Sequence, residues 1–251
     1  VRVELAQLSP APRELAANVE RVRAVLDRAP ADLVVFPELF LCGYQLEGLG
    51  ELTVTVDDAY VRALRDAARD ADRALIVGIL EADGGRVYNS ALCIDRDGSV
   101  AGSHRKTHLF GRERGTFQTG DALEPILLAG RMVGVMICFE VEFPEVARSM
   151  VRRGADLLVT ISANMDPYGP DHDLLGRARA LENNRPHLYV NRVGSESGLR
   201  FAGESRLIDA MGGVLAAAEP GERLLTCEVP AAELRSAQTA YLAQSRPELY
   251  A

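Results

Sequence analysis

Residues 131–145, RMVGVMICFEVEFPE, constrain the fold more than any other stretch of the chain. Met132, Val133, Val135, Met136 and Ile137 form an apolar run that first alternates and then becomes continuous, the pattern of a buried strand. The run stops at Cys138 and is followed by three carboxylates. Residues 143–148 then open a helix, with Pro144 in the first turn and Glu145 near the positive end of its dipole. A buried strand that passes through a short turn into a helix predicts an α/β chain and leaves a thiol at the strand end. That is a good place for a nucleophile, although a cysteine here also fits the description of a small packed hydrophobe.

The same texture recurs along the chain. Residues 1–7 alternate as a strand, and residues 14–28 carry Leu15, Val19, Val22 and Leu26 on one helical face. Residues 32–36 form a continuous apolar strand that ends at Pro37-Glu38, which puts a second chemically capable side chain at a strand end. Residues 39–49 read as a loop with a helical turn, and residues 60–71 as a helix with Val61, Leu64 and Ala68 inward. Strands at 74–80 and 86–95, a turn at 95–98 and a strand from Ser99 deliver the chain to Lys106. After the Cys138 stretch come a strand at 156–162, a turn-rich loop from Ala163 and a helix at 172–183 with Leu174, Leu175, Ala178 and Leu181 as its inner face. A strand at 187–193 and a closing meander at 199–229 follow. With no repeat or linker, one domain over 1–251 is the economical expectation, built from two mixed sheets with helices outside.

Lys106 is the one lysine among 28 cationic side chains. In so arginine-biased a chain, a retained lysine points to a need for a compact ammonium on a flexible stem. Glu38, Lys106 and Cys138 then stand at the ends of three separate elements, where α/β folds collect ligands. Together they suffice for acyl transfer: a carboxylate to take the thiol proton, a thiolate to attack carbonyl or nitrile carbon, and an ammonium to hold the oxyanion with the help of the Phe139 N–H.

Composition removes several classes. With 36 acidic against 28 basic residues, a net charge of −8 and no basic run, nucleic acid and anionic membranes are unsuitable partners. No apolar run reaches the length of a membrane span and the first residues lack a secretory pattern, so the expected compartment is the cytoplasm. Cys42, Cys93, Cys138 and Cys227 lie far apart with no C-x-x-C, which suggests free thiols rather than a zinc site or disulfides. The lysine also lacks the glycines of a phosphate-binding loop.

FPE at 36–38, RKTHLF at 105–110 with ER at 113–114, and ICFEVEFPE at 137–145 resemble the three signature regions of the nitrilase superfamily of carbon–nitrogen hydrolases. SAN at 162–164, RARALEN at 177–183 and VNRVG at 190–194 extend the resemblance over nearly the whole chain. It implies a four-layer α-β-β-α sandwich, no metal or organic cofactor, and a homodimer or larger homo-oligomer paired through outer helices. Carried over by position, Glu38 is the general base, Lys106 the oxyanion stabiliser and Cys138 the nucleophile, and Glu113 positions substrate or assists proton transfer. The other reading of Glu113 is an exposed acid paired with Arg112 or Arg114. Tyr44, Phe139, Asn164, Met165 and Asp166 are the expected substrate contacts, with Asp166 facing a substrate amine or, as an Asp before proline, simply forming a turn.

The expected reaction is hydrolysis of a small carboxamide to carboxylate and ammonia. N-carbamoyl amino acid hydrolysis, which would want an arginine for the substrate carboxylate, and nitrile hydrolysis are the alternatives. A binding module without turnover ranks behind them. The four histidines read as capped or surface side chains.

Overall fold

The computed structural model describes residues 1–231 and 240–249. The chain runs β1 (Arg2–Gln7), α1 (Leu15–Leu26), β2 (Leu33–Val35), α2 (Ala59–Ala71), β3 (Ala74–Asp83), β4 (Arg86–Ile94) and β5 (Val100–Arg105). It continues through β6 (Ile126–Leu128), β7 (Arg131–Ile137), α3 (Pro144–Arg152), β8 (Leu157–Ser162), α4 (Gly169–Asn183) and β9 (His187–Asn191). The last elements are β10 (Val193–Glu196), β11 (Leu199–Ala202), β12 (Arg206–Ile208), β13 (Val214–Ala217), β14 (Arg223–Glu228) and α5 (Tyr241–Gln244).

Two six-stranded sheets result, ordered β14-β1-β2-β3-β4-β5 and β13-β12-β9-β8-β7-β6, with β10 and β11 as a separate hairpin. Each is mixed. In the first, β1, β2 and β3 are parallel and the flanking strands antiparallel. In the second, β7, β8 and β9 are parallel.

The period-two alternation of the strands sorts their side chains into three cores. Val3, Leu5, Leu33 and Val35 of the first sheet meet Val133, Val135, Ile137, Leu157, Val159 and Ile161 of the second. From the other face of the first sheet, Ala6, Val34 and Phe36 pack against Leu15, Val19, Val22 and Leu26 of α1 and Val61, Leu64 and Ala68 of α2. Met136 and Leu158 face the other way from their neighbours and pack on Val146, Ala147 and Met150 of α3. Helix, sheet, sheet and helix are therefore stacked as the sequence suggests.

The helix starts follow local chemistry. The Asp58 side chain caps α2 by accepting from the Tyr60 N–H at 2.8 Å, and Pro144 stands in the first turn of α3.

One expectation is reversed in α4. Its buried residues are Gly169, His172, Gly176, Arg179, Ala180 and Asn183, whereas Leu175, Ala178 and Leu181 are half-buried and Leu174 is 67% exposed. The helix rests on polar contacts. Arg179 Nε donates to the Val141 carbonyl at 2.9 Å, and His187 Nδ1 bonds the Gly176 carbonyl at 2.9 Å. Satisfying those buried carbonyls fixes the inner face more strongly than burial of leucine does.

His187 also corrects the surface reading of the histidines: it, His104 and His172 are buried. Burial pushes the pKa of His187 down to about 4; the Gly176 carbonyl opposes the shift and the Arg179 charge adds to it. A histidine of ordinary pKa in the unfolded chain takes up a proton that the folded one refuses. Stability should thus be level above pH 6.5 and fall between about pH 6.5 and pH 4, by about 3 kcal/mol from this residue. Urea unfolding at stepped pH checks this, and His187→Gln should flatten the slope.

Candidate active site

Lys106 and Cys138 follow β5 and β7 directly, Glu38 follows β2 after Phe36 and Pro37, and the two facing sheets bring these three ends together. Lys106 Nζ donates to Glu38 Oε1 at 2.7 Å and lies 2.9 Å from Glu113 Oε2, with all three side chains excluded from solvent. The Asn89 side-chain amide donates to Glu38 Oε1 at 2.7 Å, and the Ala163 N–H to Oε2 at 2.7 Å. Burial alone would lower the Lys106 pKa. The charges of Glu38 and Glu113 outweigh it and hold the ammonium well above the usual lysine range.

Glu113 is not the exposed, arginine-paired acid that its GRERG context permits. It is fully buried in a short 3-10 helix, Gly111–Gly115. It accepts from the Tyr44 hydroxyl at 3.0 Å and from the Phe110 N–H at 2.8 Å. Burial raises its pKa and the Glu38 charge adds to the rise, against the pull of Lys106. Tyr44 in turn belongs to a loop held by Glu196, which accepts from the Tyr44 N–H and the Gln45 side chain and pairs with the buried Arg192 at 2.6 Å.

Cys138 adopts φ +48°, a left-handed backbone that costs a residue with a side chain of the order of 1–3 kcal/mol. Glu140 clamps this turn. It accepts from the Ile137 N–H and the Thr107 N–H at 2.7 Å each, and its other partner is His104 Nε2 at 2.8 Å. The carboxylate thereby ties the end of β7 to the end of β5. The thiol pKa is pushed up, first by burial and then by the Glu38 charge, while Lys106 and a hydrogen bond to Ser162 oppose the rise. Its proton therefore has to be removed during attack.

Two close approaches shape the site. A Cβ on Gly78 of β3 would lie 2.2 Å from the Leu39 nitrogen and 2.6 Å from the Glu38 carbonyl carbon. One on Gly120 would lie 2.2 Å from the carbonyl oxygen of Arg105, next to Lys106. Gly78→Ala should push the Glu38 backbone away from Lys106, lowering kcat while costing about 1–3 kcal/mol of stability. Turnover and denaturant unfolding measured on the one variant read both effects.

The cavity at Cys138 is lined by Phe110, Phe139, Asn164, Met165 and Tyr168 together with Glu142 and His172. Of the expected substrate contacts, Phe139, Asn164 and Met165 are on this wall. Tyr44 lines the adjoining cleft, which shares Phe110 and Met165 with the cavity. Asp166 instead points to Arg200 and forms an ion pair with it at the surface. Asn89, Ser162, His104 and Glu142 were not among the expected site residues. An asparagine inside the apolar run of β4 was the available signal for the first. Among the described residues no group of three or more His, Cys, Asp or Glu is placed to hold a metal ion, and all four cysteines are free. No helix among them is long and apolar enough to cross a membrane.

A family model described as carbon-nitrogen hydrolase matches residues 2–239. The chain belongs to this family. Its relatives include an (R)-stereoselective amidase from a Pseudomonas species, 36% identical over 96% of this chain and 89% of that one. A nitrilase from Pyrococcus abyssi is also 36% identical, over 93% and 89%. Among solved structures, an amidase from Nesterenkonia sp. AN1 superposes with a TM-score of 0.89 at 29% identity, covering all of this chain and 95% of that one. A variant of that amidase carries the acetamide moiety of fluoroacetamide covalently on its active-site cysteine, and another was captured with butyramide. The carbon–nitrogen hydrolase family thus contains enzymes for more than one carbon–nitrogen bond, and the two sandwiched sheets of this chain are the family's fold.

Proposed function

We propose that this carbon–nitrogen hydrolase is an amidase that converts a small carboxamide to carboxylate and ammonia through a thioester on Cys138. The observation that carries the reading is the solvent-excluded Glu38–Lys106–Glu113 cluster at the strand ends beside a strained cysteine. Cys138 Sγ attacks the amide carbon as its proton passes to Glu38. The oxygen's developing charge is held by the Lys106 ammonium and the Phe139 N–H. Collapse breaks the C–N bond, Glu38 returns the proton to the nitrogen, and ammonia leaves. Water then attacks the thioester while Glu38 takes its proton. The C–S bond breaks, the thiol regains a proton, and the acid departs. Glu113, held by Tyr44 and the Phe110 N–H, keeps Lys106 aimed.

The cavity favours an amide over an N-carbamoyl amino acid, because among the described residues no arginine lines it and Arg112 of the adjoining cleft is paired with Glu47. Arg179, the arginine packed behind it, is occupied by the Val141 and Glu142 carbonyls and by Glu182. The test is ammonia and carbon dioxide release from parallel panels of carboxamides, N-carbamoyl amino acids and nitriles. Ammonia from the carboxamides without carbon dioxide supports the reading. Carbon dioxide from the carbamoyl panel, or turnover confined to nitriles, overturns it.

The resemblance also suggests assembly through outer helices, and the solvent face of α4, with Leu174 67% exposed, fits a second copy of this chain. Sedimentation should give a dimer or larger assembly, and Leu174→Asp should shift it toward monomer.

A further inference from the structure

Arg192 lies between β9 and β10 and is among the largest fully buried side chains. A buried guanidinium calls for a reason, because desolvating two charges consumes much of what their attraction returns. Its Nη1 donates to Glu196 Oε2 at 2.6 Å, while its Nε and Nη2 have no hydrogen-bond partner among the described residues. Its Cζ lies over the Phe201 ring, 4.1 Å from the centroid. Glu196 directs its other contacts to one loop. Oε2 also accepts from the Tyr44 N–H at 3.3 Å, and Oε1 accepts from the Gln45 side chain. A Cβ on Gly43 would lie 2.7 Å from Oε1, so the carboxylate is seated directly against a backbone whose φ of +81° favours glycine. Phe201 meets the Tyr44 ring edge to face with centroids 6.1 Å apart. The β10–β11 hairpin therefore holds Tyr44 by its backbone and by its ring.

The other end of Tyr44 is in the catalytic cluster. Its hydroxyl donates to Glu113 Oε1 at 3.0 Å, the same oxygen that Lys106 Nζ approaches at 3.1 Å. Two donors thus share one carboxylate oxygen. Withdrawing the hydroxyl leaves the ammonium to satisfy that oxygen alone, and draws it toward Glu113 and away from the oxyanion. We infer that Arg192 and Glu196 are positioning residues for the reaction: the pair sets Tyr44 so that its hydroxyl shares Glu113 with Lys106 and keeps the ammonium within reach of the oxyanion. The inference rests on the amidase reading for the role of Lys106. It extends the machinery to two residues that line neither the cavity at Cys138 nor the adjoining cleft.

A double-mutant cycle separates this from a tether that merely holds the loop. Arg192→Met with Glu196→Leu replaces the pair by apolar side chains of similar volume and leaves no unpaired buried charge. A circular dichroism melt checks that the fold is kept. That change and Tyr44→Phe should each lower kcat on a carboxamide by roughly tenfold to a hundredfold, with KM moving by less than about threefold. Combined, they should fall no further than Tyr44→Phe alone, within about threefold, because both act through one hydroxyl. Alkylation of Cys138 by iodoacetamide, followed as adduct on its peptide at fixed pH, gives a second cycle that needs no turnover. Lys106 favours the thiolate, so the same non-additive slowing is expected. Should the paired variant fail to fold, Glu196→Gln takes its place in both cycles, since it keeps the volume and weakens the hold on the Tyr44 N–H. If wild type releases ammonia from no carboxamide, the amidase reading fails and the alkylation cycle alone decides the inference. Effects that multiply in either cycle, or a folded variant of the pair with the kcat and alkylation rate of wild type, overturn it.

Discussion

Replacing Cys138 with alanine removes turnover, by about ten-thousandfold or more, because the sulfur that forms the acyl bond is gone. The other buried thiols are poor substitutes. Cys93 lies within β4 and Cys42 donates to the Gly43 carbonyl, and neither lines the cavity at Cys138. The fold should survive the change, since Cys138 fills little volume and alanine bears the same left-handed backbone. Ammonia release and the circular dichroism melting curve, measured together, separate the two effects. Activity within tenfold of wild type would remove the cysteine from the chemistry.

Lys106→Arg keeps the charge and should still lose about a hundredfold to a thousandfold in kcat. The ammonium fits between Glu38 Oε1 and Glu113 Oε2 at 2.7 and 2.9 Å in a space with no solvent. A guanidinium is wider and planar. It would either push the two carboxylates apart or turn its donors away from the oxyanion. Lys106→Met goes further by leaving two buried carboxylates facing each other, and it should cost about 3–5 kcal/mol of stability. Steady-state kinetics on the arginine variant and urea unfolding on the methionine variant check the pair of expectations. Near-wild-type kinetics with arginine would make the single lysine an accident of composition.

Much of this site was legible in the sequence. Glu38 and Cys138 follow strands whose hydrophobic pattern is plain, Lys106 stands out after the polar β5 as the one lysine, and strand ends in stacked sheets converge. Glu113 was legible only through its resemblance to a family motif. In GRERG it sits among glycines and arginines that look like surface, and in the fold it is covered together with Lys106 and with Tyr44, the latter remote in sequence. Gly78 and Gly120 act through close approaches of one strand or loop to another, which no local pattern encodes. The β6 strand escaped for a different reason, being three residues long between turn residues. The inner face of α4 was misread because apolarity was taken as the guide. Buried backbone carbonyls of the turn after Cys138 needed Arg179, so the helix turned Leu174 outward and left Leu175 and Leu181 half-buried.

The central claim is a covalent acyl group on one particular sulfur. The most direct measurement is the mass of the protein acid-quenched during turnover of a carboxamide, followed by peptide mapping. The account predicts an added mass equal to the acyl group less one hydrogen, carried by the peptide containing Cys138 and absent from Cys138→Ala. Ammonia release with no adduct on any quench timescale, or an adduct on Cys42, Cys93 or Cys227, would contradict it.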